Sequence, residues 1–203
     1  MFDISNMRFH HQLEDLLASP VRVRLLRILT KAPRQGFTGR DLARLCERSP
    51  SQTINALQGL ETSGVVFREI AGRSHVWRLS TDHVLSGLLT KLFEREAGAL
   101  DALKSDLERA IQPLPVERAW LFGSIARGEE RPTSDVDLLV QVTTRADKES
   151  VEDALSGLSA RFARKYGNPL SALVMDSTQL RQLPSTGLMV RVLAEGQELE
   201  GGG

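Results

Sequence analysis

The chain has 203 residues, of which 41% are hydrophobic and 16 are glycine, and its formal net charge at pH 7 is zero. This length allows one large or two small domains, and the composition is that of an ordinary globular protein, not of a disordered or collagen-like chain. The longest stretch without a charged residue is 49–60. It is shorter than the roughly 18 apolar residues of a membrane span, so we expect no membrane partner.

The charge of the chain differs between its two halves, and its N-terminus and cysteine content indicate a cellular compartment. Residues 1–90 carry 12 basic and 8 acidic side chains, whereas residues 91–203 carry 14 and 18. The two halves are therefore expected to have different partners. The N-terminus lacks a basic start followed by an apolar run, and the single cysteine, Cys46, cannot form an internal disulfide. Both observations favour a cytoplasmic protein.

Three short helices are predicted in the first 65 residues. Ser19 and Ser49 each precede a proline, which is typical of a helix start, because serine caps the first turn and proline fits the first helical position. Between them, Thr38 followed by Asp41 is typical of a capping box. Each start is followed by apolar residues at helical spacing, so we expect one amphipathic helix after each cap.

A hairpin is predicted directly after the third helix. Gly64 stands where a helix ends in the left-handed conformation, and residues 65–79 form two strand-like runs around a short polar turn. Helix, turn, helix and hairpin in this order resemble the winged helix-turn-helix of bacterial transcription regulators over about residues 12–80. The resemblance implies binding to double-stranded DNA, although a winged helix that only contacts proteins remains an alternative.

The third helix supplies the predicted DNA contacts. Short polar side chains on its outer side can reach base edges in a major groove, and a basic hairpin tip can reach the minor groove or phosphates. The candidate DNA-binding residues are Ser51, Gln52, Thr53, Asn55, Gln58 and Arg73. Arginines near this helix are candidates for phosphate contacts: Arg22, Arg40, Arg44, Arg48 and Arg68.

One long helix is predicted to join the two halves. Residues 81–112 contain no proline, and their apolar side chains recur mostly every three or four positions. Such a helix has more apolar face than one small domain needs. It can form a homodimer, pack across both domains or fold back on the winged helix, and the sequence leaves these alternatives open. Pro113 and Pro115 end it.

The second half contains a motif of candidate catalytic and ligand-binding residues. A strand-like run, 116–122, leads directly into Gly123-Ser124, and ten residues later Asp135 and Asp137 open a second apolar strand. The stretch LFGSIARGEERPTSDVDLLV resembles the signature of the nucleotidyltransferase superfamily that includes polymerase beta, and the chain is similar in size to its minimal, antitoxin-type members. The resemblance continues more weakly toward the end of the chain, where it includes Glu195-Gly196.

The residue types of the motif suit a nucleoside triphosphate with Mg²⁺. Glycine lets the backbone approach a phosphate, and Ser124 adds a hydroxyl at a helix start. Asp135 and Asp137 project to the same face of a strand, so together they can hold Mg²⁺ as metal ligands and catalytic residues. Gly123, Ser124 and Arg127 are the predicted nucleotide-binding residues.

One position departs from the family pattern. Active members usually carry a third carboxylate on the next strand, where this chain has Ser171. Serine cannot act as a general base at neutral pH. The nearest carboxylate, Asp176, lies five residues on and therefore on the opposite face of that strand. The sequence thus leaves open whether the domain only binds nucleotide or also transfers it.

We predict an α/β winged helix-turn-helix over 1–80, a linking helix over 81–113, an α+β nucleotidyltransferase-like domain with a mixed sheet and flanking helices over 114–200, and a disordered tail over 201–203. The favoured function is a DNA-binding regulator whose second domain binds a nucleoside triphosphate and Mg²⁺. The alternative is an active transferase that modifies a protein or small-molecule hydroxyl, and by resemblance to antitoxins the acceptor could be a partner toxin. A nucleotidyltransferase relic with no activity is the third possibility.

Overall fold

The computed structural model describes residues 11–72, 74–182 and 187–200, and the chain divides into two units between Gly98 and Ala99. The predicted tail, 201–203, lies outside the described residues. No helix in the described part of the chain is both long and apolar enough to cross a membrane.

The first unit consists of helices around a small antiparallel sheet. Its elements are α1 (Gln12–Leu16), α2 (Pro20–Lys31), β1 (Phe37–Thr38), α3 (Gly39–Cys46), α4 (Pro50–Thr62), β2 (Val66–Ala71), β3 (Ser74–Leu79) and α5 (Ser86–Ala97). The three strands lie in the order β1-β3-β2, and β2 and β3 form the predicted hairpin, with Val66 opposite Leu79. Helices followed by a hairpin that pairs with a short strand, here β1 before α3, form a winged helix.

The predicted helix starts are confirmed by their hydrogen bonds. The Ser19 hydroxyl accepts the backbone N–H of Arg22 at 3.3 Å, and the Ser49 hydroxyl accepts that of Gln52 at 3.3 Å. Thr38 Oγ1 accepts the Asp41 N–H at 3.2 Å and donates to the Asp41 carboxylate at 2.7 Å. These bonds satisfy backbone donors that a helix start leaves unpaired.

The prediction of one long linking helix is wrong. Residues 86–111 form two helices, because Gly98 leaves the helical conformation and its N–H closes the end of α5 on the Glu94 carbonyl. Leu89 and Phe93 of α5 pack into the core of the first unit, as expected for a helix that folds back on the winged domain. The apolar residues beyond Gly98 pack in the second unit instead.

The second unit is an α+β domain with a four-stranded mixed sheet. Its elements are α6 (Ala99–Ile111), β4 (Arg118–Phe122), α7 (Gly123–Arg127), β5 (Val136–Val142), α8 (Arg145–Ser156), α9 (Ser159–Tyr166), β6 (Leu170–Asp176), α10 (Ser177–Gln182), α11 (Leu188–Glu195) and β7 (Gln197–Glu198). The strand order is β6-β5-β4-β7, with β5 and β6 parallel and the other pairs antiparallel.

Strand β5 is buried on both faces and separates two clusters of side chains. Val136, Leu138 and Val140 pack with α6, α8 and α9 in the larger cluster. Leu139 packs on the other face, against Trp120. Because side chains alternate along a strand, Asp137 shares the face of Leu139.

Candidate functional site

Position 123 requires glycine because the side chain of Asp137 lies directly against it. Gly123 lies at the end of β4 with φ +77°, a conformation that favours glycine. A Cβ atom at this position would overlap Oδ2 of Asp137 and lie 3.0 Å from its Cγ. The glycine of the motif therefore makes room for the second aspartate. This role could not be read from the sequence, which indicated only a close approach to phosphate.

The two aspartates of the motif lie at the beginning of β5. Asp135 is exposed and directly precedes the strand, whereas Asp137 is half-buried and pairs with Phe122 of β4. Burial and, next in size, the negative charge of Asp135 raise the pKa of Asp137, and the positive charge of Arg127 opposes them. The two carboxylates thus repel each other in the absence of a cation.

Ser171 lies beside Asp137 on the neighbouring strand. The parallel register of β5 and β6 pairs these two residues directly, so their side chains share one face of the sheet. A carboxylate at position 171 would therefore lie next to the two aspartates, as the resemblance implied. The exposed side chain at this position is instead a neutral hydroxyl.

Asp176 does not replace the missing carboxylate. It pairs with Val142 at the other end of the sheet, about 17 Å along the strand from the level of Asp137 at ~3.3 Å per residue. Its Oδ1 accepts the backbone N–H groups of Thr178 and Gln179, both at 2.8 Å, and so caps α10. Asp176 has a structural role.

Arg127 is held by two glutamates. Its Nε donates to Glu129 at 2.8 Å and its Nη1 donates to Glu195 at 3.0 Å. These hydrogen bonds raise the pKa of Arg127. A phosphate that binds Arg127 must compete with these carboxylates. Glu195 was noted in the sequence only as part of the family match, and its contact with a residue 68 positions away could not be read from the sequence.

The two aspartates suit a metal ion whose remaining ligands come from a bound nucleotide and water. Among the described residues, no group of three or more His, Cys, Asp or Glu side chains could hold a metal ion. Mg²⁺ is commonly held by only one or two carboxylates, with substrate phosphates and waters completing its six ligands. Asp135 and Asp137 therefore suit Mg²⁺ that arrives with a nucleotide better than a resident metal held by protein alone.

Helix α4 exposes most of the predicted DNA-binding side chains. Ser51, Gln52, Asn55 and Gln58 are exposed on this helix. The prediction for Thr53 is wrong, because its side chain is 0% exposed and its hydroxyl donates to the Ser49 carbonyl at 3.0 Å. Arg73 lies outside the described residues.

The arginines near α4 differ in their surroundings. Arg40, Arg44 and Arg48 are exposed on and after α3. Arg22, in contrast, lies against the backbone of Gly59, where a Cβ would be 2.6 Å from its Cζ, and it also donates to the Asp15 carbonyl. Arg68 pairs with Glu61 at 3.6 Å. Packing thus separates the arginines that remain exposed from Arg22, which contributes to the fold.

Comparison with known families assigns the second unit. The family model described as Polymerase beta, Nucleotidyltransferase matches residues 107–199, which include the Gly123-Ser124 turn, both aspartates and Glu195. No curated protein matches the chain in sequence.

Several solved structures are similar to parts of the chain. They include the AntR antimony-specific transcriptional repressor, with 22% identity over 46% of this chain and 78% of that chain and a TM-score of 0.37. The S. aureus MepR–DNA complex is 19% identical over 49% of this chain and 83% of that chain, with a TM-score of 0.37. A toxin–antitoxin structure with AMP-PNP is 17% identical over 48% of this chain and 73% of that chain, with a TM-score of 0.33.

All three structures are less than 25% identical to the chain, with TM-scores below 0.5. The fold of the first unit therefore rests on its own helices and strands. Its helices and three-stranded sheet have the order and pairing of a winged helix. The first unit is therefore a winged helix-turn-helix, and the second is a nucleotidyltransferase-like domain of the polymerase beta type.

Proposed function

We propose that this chain is a DNA-binding transcriptional regulator whose nucleotidyltransferase-like domain binds a nucleoside triphosphate together with Mg²⁺. The observation that carries the proposal is the pairing of Asp137 with Ser171. Gly123 and Asp137 lie against each other as the motif requires, but the neighbouring strand has a hydroxyl where the family resemblance implies a carboxylate in an active transferase.

The electrostatics of the aspartates support binding of Mg²⁺. Burial and then the charge of Asp135 raise the pKa of Asp137, and a divalent cation between the two carboxylates would remove their repulsion. When bound, Mg²⁺ would neutralise phosphate charge. Gly123, Ser124 and Arg127 are proposed to contact the phosphates, with Arg127 exchanging at least one glutamate partner for the nucleotide.

The exposed face of α4 supports binding of double-stranded DNA. In helix-turn-helix proteins the second helix of the motif enters the major groove, and its polar side chains contact base edges. Gln52 and Asn55 carry amides that can pair with adenine, and both are exposed. Arg40, Arg44 and Arg48 are exposed cations on the preceding segment that can contact phosphates.

An active transferase is the second candidate, and the complete Gly123-Ser124 and Asp135-Asp137 pattern favours it. In that reaction an acceptor hydroxyl of a protein, such as a partner toxin, or of a small molecule attacks the α-phosphorus of a nucleoside triphosphate. A bond forms between the hydroxyl oxygen and phosphorus, pyrophosphate leaves, and the hydroxyl proton passes to a base. Ser171 cannot be that base at neutral pH.

DNA affinity and nucleotide transfer distinguish the candidates. Duplexes that bind the full chain are first selected from a random-sequence pool, and their affinity is then measured by fluorescence anisotropy with and without each nucleoside triphosphate and Mg²⁺. We expect one nucleotide to change DNA affinity, and the Asp135→Ala, Asp137→Ala variant to lose this change. The control is Asp153→Ala, which removes an exposed carboxylate from α8. No change with any nucleotide would contradict the regulator.

Transfer is measured in parallel with labelled nucleotides. The regulator predicts no transfer by the native chain, whereas transfer that is lost in the double aspartate variant would establish the enzyme instead. Ser171→Asp tests directly whether the missing carboxylate prevents transfer, because it introduces a carboxylate beside Asp137. We expect this variant, and not Ser171→Asn, to gain transfer or hydrolysis of the nucleotide.

A further inference from the structure

A cavity of about 280 Å³ lies between α6 and α9 of the second unit. Its lining combines charged side chains at one end with apolar and aromatic side chains along the remaining wall. Ligand pockets for drug-sized molecules begin at about 300 Å³, so this cavity is suited to a small ligand.

The cavity is separate from the aspartates of the nucleotidyltransferase motif. Phe162, one of its lining residues, packs in the cluster that contains Val136 and Leu138 of β5. Asp137 lies between these two residues in sequence and therefore projects from the opposite face of the sheet. A ligand in the cavity would thus occupy a second site, behind the sheet.

A buried carboxylate organises the polar end of the cavity. The side chain of Asp106 is only 7% exposed, and it accepts hydrogen bonds from Lys165, Arg109 and the Tyr166 hydroxyl, the last at 2.9 Å. The hydrogen bond from Lys165, together with that from Tyr166 and the charges of both cations, lowers the pKa of Asp106. The carboxylate is therefore ionised at neutral pH and holds the two cations at one end of the cavity.

The lining carries an excess of positive charge. Three cations, Arg109, Arg161 and Lys165, face one anion, Asp106. Within the described part of the chain, Arg161 forms no ion pair or hydrogen bond through its side chain, so its guanidinium is free for a ligand. A guanidinium is well suited to a carboxylate or phosphate because it can donate two parallel hydrogen bonds.

The remaining wall of the cavity is apolar and aromatic. The rings of Phe162 and Tyr166 lie 5.8 Å apart, and Ala110, Pro113 and Leu158 complete the wall. An inorganic anion would leave this surface uncovered, whereas a neutral apolar molecule would make no ion pair with Arg161.

We propose that this cavity is a second binding site, for a small organic anion in which a carboxylate or phosphate is attached to an apolar body the size of one aromatic ring. This site goes beyond the nucleotide site proposed above and does not depend on it. Carboxylic acids and phosphate monoesters share the required chemistry, and the two are compared directly in the test.

Binding is measured on the full chain by calorimetry and by amide chemical shifts, with benzoate and phenyl phosphate as probes. Benzyl alcohol provides the ring without the charge, and inorganic phosphate provides the charge without the ring. We expect saturable binding of at least one organic anion, at least tenfold tighter than either control compound, with the shifts centred on α6 and α9. The preferred head group is the one carried by the tighter probe.

Two variants test the residues that carry the proposal. Arg161→Gln should weaken binding about five- to tenfold, because a charge-assisted hydrogen bond is lost, whereas Arg164→Gln removes the same charge from the same helix outside the lining and should not. Ala110→Leu should fill the cavity and abolish binding. The Asp135→Ala, Asp137→Ala variant should bind the probes normally, which separates this site from the nucleotide site.

Several results would overturn the proposal. They are the absence of binding by both anions, equal binding of benzyl alcohol, or equal weakening by Arg161→Gln and Arg164→Gln. Arg161 is exposed, and its side chain forms no ion pair or hydrogen bond with the described residues, so its variant keeps the test decisive even if Ala110→Leu fails to fold.

Discussion

Replacement of Gly123 by alanine should damage both the stability of the second unit and its nucleotide site. The added Cβ would overlap the carboxylate of Asp137 and lie 3.2 Å from its Cβ. Alanine is also strained at the φ of +77° that Gly123 adopts. The substitution therefore acts in two ways, through the backbone and through the displaced aspartate.

The two contributions can be separated by a matched substitution at Gly128. This residue ends the same short helix with φ +69°, and a Cβ there would meet no atom within 4 Å. The left-handed conformation costs a residue other than glycine about 1 to 2 kcal/mol, and this cost applies to both variants. Overlap with packed atoms adds about 1 to 3 kcal/mol to Gly123→Ala alone.

We therefore expect Gly128→Ala to lower the free energy of unfolding by about 1 kcal/mol and Gly123→Ala to lower it by about 3 kcal/mol. Urea unfolding followed by tryptophan fluorescence measures both values. The chain has two tryptophans. In a Trp77→Phe background the fluorescence reports only on Trp120, which is buried in β4 of the second unit.

Nucleotide binding provides the second measurement. Gly123→Ala should lose binding of nucleoside triphosphate with Mg²⁺, because Asp137 must move, whereas Gly128→Ala should retain it. Equal destabilisation by the two substitutions would refute the argument that the carboxylate of Asp137 requires glycine at position 123. If Gly123→Ala still bound the nucleotide, Asp137 would not be part of the nucleotide site.

Three further predictions follow from single contacts. Asp135→Asn should lower the pKa of Asp137, measured by NMR titration of its carboxyl carbon, because the neighbouring negative charge is removed, and an unchanged value would contradict their proximity. Since hydrogen bonds hold the folded-state pKa of Asp106 below its unfolded value, this group stabilises the fold above about pH 4 and loses that contribution as the pH falls, so Asp106→Asn should flatten this part of the pH dependence of unfolding. Asn55→Ala should weaken specific DNA binding about tenfold without changing the unfolding midpoint, whereas Thr53→Ala should lower the midpoint, and the opposite pattern would reassign the DNA-binding face.

Local signals in the sequence were sufficient for most of the secondary structure. The caps at Ser19, Thr38 and Ser49 act within four residues of each helix start, so their chemistry is visible in the sequence itself. The same holds for the left-handed conformation of Gly64, which has φ +76°. The burial of Thr53 also had a local signal, since it lies three and four residues before the buried Ala56 and Leu57.

Features that depend on tertiary packing could not be predicted. Apolar spacing continues across Gly98, so it indicated neither the end of α5 at this glycine nor the packing of Leu89 and Leu103 in different cores. The contact of Arg127 with Glu195 joins α7 to the end of α11, which is 68 positions away in sequence. The sequence contained both residues but not their proximity.

The position of Ser171 beside Asp137 agrees with the alignment made from sequence spacing. The apolar run that follows the aspartates along the chain, β6, lies parallel to β5, and the register of this pair sets Ser171 opposite Asp137. The cap of α10 also had a local signal, since Asp176 accepts the backbone N–H groups of Thr178 and Gln179, two and three residues later.

Calorimetric titration of the full chain with each of the four nucleoside triphosphates in the presence of Mg²⁺ tests the central claim most directly. The account predicts saturable binding of at least one nucleotide, which is lost in the Asp135→Ala, Asp137→Ala variant. No binding of any of the four, or equal binding by the variant, would contradict a nucleotide site at these aspartates.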